Sequence, residues 1–212
     1  MSNMDMLTTI YCYGSPEMAL LSAGYTDITK WLRVPEYETA GCCDTKIFEE
    51  QSAMEASINI ATAALIGGNM IHDVGYLDSG LTSSMELMVA SDEIISMLKR
   101  IMRGIPVNDD TMALDVMEAV GPGGHFMEQD HTYNRFKTEI WRPQLIDRQN
   151  WENWNTAGAK RYGERVHERV IELLETETEP LLDDAMYKEM RRICELADAR
   201  HKDEELDMKM FV

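Results

Sequence analysis

Residues 69–102, NMIHDVGYLDSGLTSSMELMVASDEIISMLKRIM, pass from an extended run through a glycine-bearing loop into a long amphipathic helix. The opening NMIHDV is short, apolar at Met70 and Ile71, and stops at the polar pair His72–Asp73, the form of a strand that ends at a turn. Ser83 and Glu86 then have the spacing of a capping box. Beyond them Met85, Met88, Val89, Ile95, Leu98 and Met102 recur as an apolar stripe at helical spacing. The stretch therefore reads as one βα unit.

The same order occurs twice upstream. TIYCYG (9–14) is a β-rich run followed by a helix start, with Ser15 as N-cap, Pro16 in the first turn and Glu17 behind it. Met18, Leu21, Tyr25, Ile28 and Leu32 mark the expected buried face of that helix. EYETAG (36–41) is the second strand, and an Ala- and Ile-rich helix runs from Phe48 towards Leu65 until Gly67 and Gly68 stop it. Three βα units in a row are the rhythm of a parallel α/β fold. After Gly104 the rhythm ends. Asn108 caps a short helix to Val120, the loop GPGGH (121–125) follows, and two helical segments near 149–177 and 182–201 flank Pro180. The residues from Arg200 onward are expected to fray.

Three strands are too few for a parallel sheet covered on both faces, and a (β/α)8 barrel takes about 250 residues and eight strands. The expected fold class is thus α/β: the last three βα units of a TIM-type barrel in residues 1–105, followed by a helical C-terminal extension in 106–212. A small three-stranded α/β layer that closes on itself or dimerises stays open as the alternative.

Composition excludes several functions. Thirty-eight acidic residues face 20 basic ones, a net charge of −18, which argues against nucleic acid and against an anionic membrane surface. No apolar run approaches the roughly 18 residues of a membrane span, and residues 1–9 show no basic region ahead of an apolar one. Cys12, Cys42, Cys43 and Cys194 make no disulfide framework, so a reducing cytoplasm is expected.

Longer strings carry more information than any short motif. TAGCCDTK (39–46), HDVGYLDSGLTSSMEL (72–87), DEIISMLKRIMRGI (92–105), VGPGGHF (120–126), HT (131–132) and WRPQLIDRQNWENW (141–154) resemble, in the same order, the trimethylamine methyltransferase family. The resemblance runs from about Tyr11 to Glu175. That family holds pyrrolysine-containing trimethylamine enzymes and pyrrolysine-free relatives that demethylate glycine betaine and similar quaternary amines. It implies a (β/α)8 barrel longer than this chain, with the N-terminal strands missing here and the Met-rich start (Met1, Met4, Met6) as an internal start or a fragment boundary. It further implies transfer of a methyl group from a methylated amine to the cobalt of a corrinoid carried by a cognate partner protein, with no cofactor bound directly. Gln51 and the Cys42–Cys43 pair are the positions at which a pyrrolysine would be sought. A non-catalytic fragment or structural paralogue that needs the absent N-terminal half is the competing reading.

Barrel enzymes build their sites where strands end. Here those places are Tyr13–Gly14, Thr39 to Asp44, and His72 to Tyr76. Tyr11, Tyr13 and Tyr76 are aromatic, while Asp44, Asp73 and Asp78 are acidic, a mixture suited to a methylated ammonium group, which is attracted to π faces. His72 and Asp73 are the expected catalytic pair, and Tyr13, Gly14, Asp44 and Tyr76 the expected substrate-binding residues. Packing of strand ends and a loop-fixing hydrogen bond are the plain alternatives. Cys12, Cys42, Cys43 and His72 also permit a zinc reading, but a tertiary or quaternary amine has no acidic proton for a Lewis acid to expose. No metal is therefore expected, and buried small hydrophobes account better for the cysteines. GPGGH lacks the Lys-Ser/Thr of a phosphate loop, so its glycines are read as turns and His125 and His131 as structural. Trp141, Trp151 and Trp154, with Leu145 and Ile146, are expected to form a packing patch, and the 17 methionines to sit mostly in the core. A homo-oligomer is expected, because a partial barrel exposes edges.

Overall fold

The computed structural model of the chain describes residues 3–178 and 181–201, so Pro180 and the tail beyond His201 lie outside the described residues. The fold is mixed α/β and mostly helical. Two compact units divide the chain, Met1–Leu174 and Glu175–Val212; the described helix of the second is α9 (Asp184–His201).

The first unit begins with residues 3–12, which close on themselves, so the strand expected at 9–14 does not form. Asp5 accepts from the backbone of Leu7 (2.9 Å) and the hydroxyl of Thr8 (2.8 Å), Thr9 turns left-handed at φ 61°, and the segment keeps only an isolated antiparallel bridge, Met4 to Tyr11. The run satisfies its amides locally, and an Asx-type turn outcompetes the ladder. Helix α1 (Pro16–Leu32) starts as the sequence indicates, with Ser15 Oγ accepting from Met18 N–H at 3.2 Å. Strand β1 (Tyr37–Thr39) follows, then α2 (Glu50–Ile66), ended by Gly67 at φ 78°, and β2 (Met70–His72). β1 and β2 pair in parallel, Tyr37 opposite Met70, Glu38 opposite Ile71 and Thr39 opposite His72. A short antiparallel pair, β3 (Tyr76–Leu77) and β4 (Thr82–Ser83), leads into α3 (Met85–Met102). The N-cap of α3 is Ser84, one residue past the expected Ser83, and accepts from Leu87 N–H at 3.1 Å.

The core is the seam of α2 and α3 over the strand ends: Ala40, Cys43, Ala56, Ile60, Ala63, Leu77, Leu87, Ile94 and Leu98. Small residues let the elements approach. Gly41, at φ 78°, lies where a Cβ would meet Ile60 Cδ1 at 3.2 Å and the Val74 backbone at 3.3 Å. This is also why the expected stripes are rotated. In α3 the buried positions are Leu87, Ala90, Ser91, Ile94 and Leu98, while Met85, Met88 and Met102 are exposed. In α1 the buried face is Met18, Ala19, Thr26 and Thr29; Leu20 (72% exposed), Ile28 and Trp31 (81%) point outward.

Strand β1 turns glutamates inward. Glu36 and Glu38 are buried beneath α1, where the Thr29 hydroxyl donates to Glu36 and the Thr26 hydroxyl to Glu38. Burial pushes the Glu38 carboxyl upward, and the neighbouring Glu36 adds to this against the opposing hydroxyls of Thr26 and Ser22 and the Lys30 charge. On the α1 side Glu38 is buried, while its partner Ile71 is exposed; on the other side Tyr37, Met70 and His72 are exposed.

The rest of the first unit wraps on α3. Helices α4 (Asp109–Met112) and α5 (Leu114–Val120) replace the single helix expected from Asn108, broken by left-handed Ala113 at φ 47°. An unforeseen helix, α6 (Asp130–Glu139), brings the Glu139 carbonyl to Arg100 Nε at 2.9 Å. The expected long segment 149–177 is two helices, α7 (Trp151–Thr156) and α8 (Tyr162–Glu175), separated at Gly158 (φ 100°) and Ala159 (φ 53°). Trp141 donates to Ser96 Oγ at 2.8 Å, and the buried Glu93 clamps the turn beyond it. Glu93 Oε1 accepts the backbone N–H groups of Gln144 (2.9 Å), Leu145 (2.9 Å) and Ile146 (3.1 Å). No helix among the described residues is long and apolar enough to cross a membrane.

Two stability measurements follow from the buried carboxylates. Glu93→Gln replaces a charge-assisted triple acceptor by a neutral amide, and should cost about 1–3 kcal/mol in urea unfolding; a change too small to measure would show that the turn holds itself. Glu38 works in the opposite sense. Its folded-state pKa lies above the unfolded value, so its charge destabilises fully above the folded pKa and the penalty disappears as pH falls to the ordinary glutamate value. Glu38→Gln should therefore melt higher than the parent at pH 8, with the difference closing towards pH 4 to 5; a gain independent of pH would refute this origin.

Candidate functional site

Parallel pairing puts the C-terminal ends of β1 and β2 side by side. The chain leaves β1 through residues 40–45 and β2 through 73–79, and these segments stay bonded: Ala40 N–H to His72 O (3.0 Å), Cys43 N–H to Tyr76 O (2.9 Å), Asp78 N–H to Thr45 O (2.8 Å) and Ser79 N–H to Cys43 O (3.1 Å). Residues 11–14 dock on the same end through side chains from elsewhere. Asp44 Oδ1 accepts the Tyr13 N–H at 2.8 Å, Asn59 Nδ2 donates to the Tyr13 carbonyl at 2.9 Å, and Ser79 Oγ donates to the Tyr11 carbonyl at 2.7 Å and to Asp44 Oδ1 at 3.2 Å. Gly14 lies against Glu55, where a Cβ would collide with the carboxylate. Glu55 in turn accepts from the Asp44 backbone N–H at 2.8 Å and from Gln51 Nε2 at 2.6 Å.

The structure thus brings Tyr13, Gly14 and Asp44 into direct contact or near it. His72 and Asp73 form their own pair, Nδ1 to Oδ1 at 2.8 Å, with both side chains partly exposed, and the Tyr37 ring meets the His72 ring edge-on at 5.7 Å between centroids. Asp73 is held at φ 72°, in the left-handed region that an Asp tolerates better than most residues. Tyr76 contributes its carbonyl to the ladder, and its side chain is exposed. Asp78 turns aside to Lys46, at 3.4 Å.

Three carboxylates surround one thiol here. Burial pushes the Cys42 thiol up to about 12, and the charges of Asp73, Asp44 and Glu55 push in the same direction. Cys43, deeper in the core, is likewise raised to about 12 by burial and then by Glu55. Both are therefore neutral thiols at physiological pH and poor nucleophiles. Among the described residues no group of three or more His, Cys, Asp or Glu stands close enough to hold a metal ion. The end of the sheet is instead an acidic, partly aromatic surface, able to attract a cation and to orient it with His72–Asp73.

Reading strand ends alone missed Glu55, Asn59 and Ser79, as well as Tyr37, while Gln51, singled out as a pyrrolysine position, serves here as a donor to Glu55. A signal was present. Ser52, Glu55 and Asn59 are polar at helical spacing on an Ala- and Ile-rich helix, and all three are buried.

A family model described as trimethylamine methyltransferase (MTTB) matches residues 1–202. The chain is 34% identical over 192 residues to the trimethylamine methyltransferase MttB of Desulfitobacterium hafniense (strain DSM 10664 / DCB-2), covering 91% of this chain and 38% of that protein. It is 32% identical over 185 residues to the trimethylamine methyltransferase MttB of Methanosarcina barkeri, covering 87% and 37%. A glycine betaine methyltransferase of Desulfitobacterium hafniense (strain Y51) is 34% identical over 180 residues, covering 84% and 37%. The chain spans less than two-fifths of the length of these relatives.

Docking of residues 11–14 depends on Asp44. Asp44→Ala removes the acceptor of the Tyr13 N–H, and should speed amide hydrogen exchange at Tyr13 while lowering stability by about 1–2 kcal/mol. Unchanged protection at Tyr13 would mean that Asn59 and Ser79 hold the segment without it.

Proposed function

The chain belongs to the trimethylamine methyltransferase family, and from that premise we propose that it carries part of the site of a corrinoid-dependent amine methyltransferase. In this reading residues 1–105 belong to a (β/α)8 barrel, to which β1 with α2 and β2 with α3 contribute two βα units, and residues 106–212 are a helical extension. The completed barrel moves a methyl group from trimethylamine or a related quaternary amine to the cobalt of a cognate corrinoid protein. The protein works in the cytoplasm, and its open faces are covered by further βα units or a second copy.

One observation carries the reading. The side of the parallel pair opposite α1 is bare and presents Tyr37 against His72, with Asp73 at the strand end. Strands of a closed barrel have helices outside and side chains inside, which supports taking Tyr37, Met70 and His72 as lumen-facing. A methylated ammonium there would lie over aromatic faces, an attraction of about 0.5–2 kcal/mol per contact. Asp73 and Asp44 supply the compensating charge, His72 orients Asp73, Tyr13 and Tyr76 flank the mouth, and Gly14 leaves the backbone close to Glu55. The task of these residues is to point the N–CH3 bond outward and keep water away. When docked, the reduced cobalt supplies the nucleophile. The reaction also leaves nothing for a catalytic zinc to deprotonate.

Asp73→Asn tests the assignment, since Asn tolerates the left-handed backbone and removes only the charge. In the complete barrel, kcat/KM for methyl transfer to cob(I)alamin should fall roughly ten- to a hundred-fold, on the order of 1.5–3 kcal/mol, with the melting temperature little changed. A much lower melt with full activity in the surviving folded fraction would make the pair structural. Complete inactivity of the assembled parent towards every methylated amine would favour a non-catalytic paralogue instead.

A further inference from the structure

A second site lies in the same unit, away from the strand ends, and its electrostatics are inverted. A cavity of about 330 Å³ is lined by Arg148, Lys160 and Arg165 together with Leu145, Ile146 and Trp154. In a chain of net charge −18, three cations line this space against one carboxylate, Asp147, and Asp147 Oδ1 is occupied by the Gln149 N–H at 2.7 Å. The arginines of the cavity are held by carbonyls and not by carboxylates. Arg148 Nη1 donates to the Trp141 carbonyl at 3.0 Å while its guanidinium lies 5.3 Å from the centre of the Trp141 ring. Arg165 donates from Nε to the Leu145 carbonyl at 2.7 Å and from Nη1 to the Lys160 carbonyl. Neither forms an ion pair among the described residues. Arg100, Arg103 and Arg135, by contrast, each meet a carboxylate. Carbonyls fix a guanidinium in place without cancelling its charge, and each fork keeps N–H donors to spare.

We propose that this cavity binds a small organic oxyanion, its carboxylate or phosphate held by Arg148 and Arg165 and its apolar body seated on Leu145, Ile146 and Trp154. Arginine forks match such groups bidentately. The volume falls at the lower end of the roughly 300–1,000 Å³ typical of small-molecule sites. Lys160 adds long-range attraction, tempered by its own pairing with Glu168 at 2.6 Å. Trp154 Nε1 is tied to the Lys160 carbonyl at 3.0 Å, which holds the indole in position as part of the wall. The proposal is independent of the amine reading, because it concerns other residues and a ligand of opposite charge.

The test is isothermal titration of the full chain, at low salt, with phenyl phosphate, benzoate and inorganic phosphate, and with phenyltrimethylammonium as the charge-inverted control. Phenyl phosphate should bind saturably at one site, inorganic phosphate more weakly, and the cation not at this site. Arg148→Gln should weaken phenyl phosphate binding about tenfold, and Arg148→Lys should recover part of the loss because it restores charge without the fork. Thermal melts confirm that each variant is folded, and the Lys variant carries the comparison if the Gln variant is not. Absence of saturable binding by both phenyl phosphate and benzoate, or equal affinity in parent and Arg148 variants, would overturn the proposal.

Discussion

Three residue pairs, Tyr37 with Met70, Glu38 with Ile71 and Thr39 with His72, hold β1 and β2 side by side and in the same direction, and most of the first unit takes its position from that ladder. A parallel pair needs a crossover between its strands, which here is α2. The crossover can lie close because Gly41 leaves room beneath Ile60, and the small Ala56 and Ala63 are buried in the same core. Parallel direction also sends both chains out of the sheet at one end. Asp44 and Asp73 stand near each other for that reason, although 29 positions separate them in the numbering. Residues 11–14, which contribute no ladder of their own, are then fastened to that end by Asp44, Asn59 and Ser79. In an antiparallel arrangement the same residues would leave the sheet at opposite ends.

The legibility of these features followed the range of the forces involved. Caps and stops are local, so Ser15, Gly67 and Asn108 could be read directly. The faces of α1 and α3 could not. Both helices are apolar over much of their circumference, and which stripe goes inward was decided by the small residues that allow close approach, Ala19 in one and Ala90 and Ser91 in the other. The run at 9–14 has the composition of a strand, but Asp5 captures the turn preceding it, a short-range hydrogen bond that hydrophobic patterning does not register. At the strand ends, the pairing of His72 with Asp73 was legible from adjacency. The involvement of Glu55 and Asn59 was not, because it needed the orientation of a helix known only once the ladder was in place. Trp141 joins α3 through Ser96, as a packing role requires, whereas Trp154 also forms part of a cavity wall.

The unit buries carboxylates in two ways, and they have different consequences. Glu93 receives three backbone N–H groups, so its charge is welcome where it lies and fastens a turn to a helix. Glu36 and Glu38 receive hydroxyls and each other's repulsion. The first kind ties the turn 144–146 to α3, while the second sets β1 against α1 at a cost in charge burial.

The inward glutamates of β1 also bear on how the strand finds its place. A strand ordinarily distinguishes its two sides by grease, since slipping one residue along would put its oily side in water. β1 lacks that guide: its oily residue, Tyr37, faces out, and its inner side is acid. The hydroxyls of Thr26 and Thr29 on α1 are what make Glu38 and Glu36 the inner residues. Without that helix the strand has no hydroxyl partners to tell inside from outside, so its register depends on two threonines of a neighbouring element.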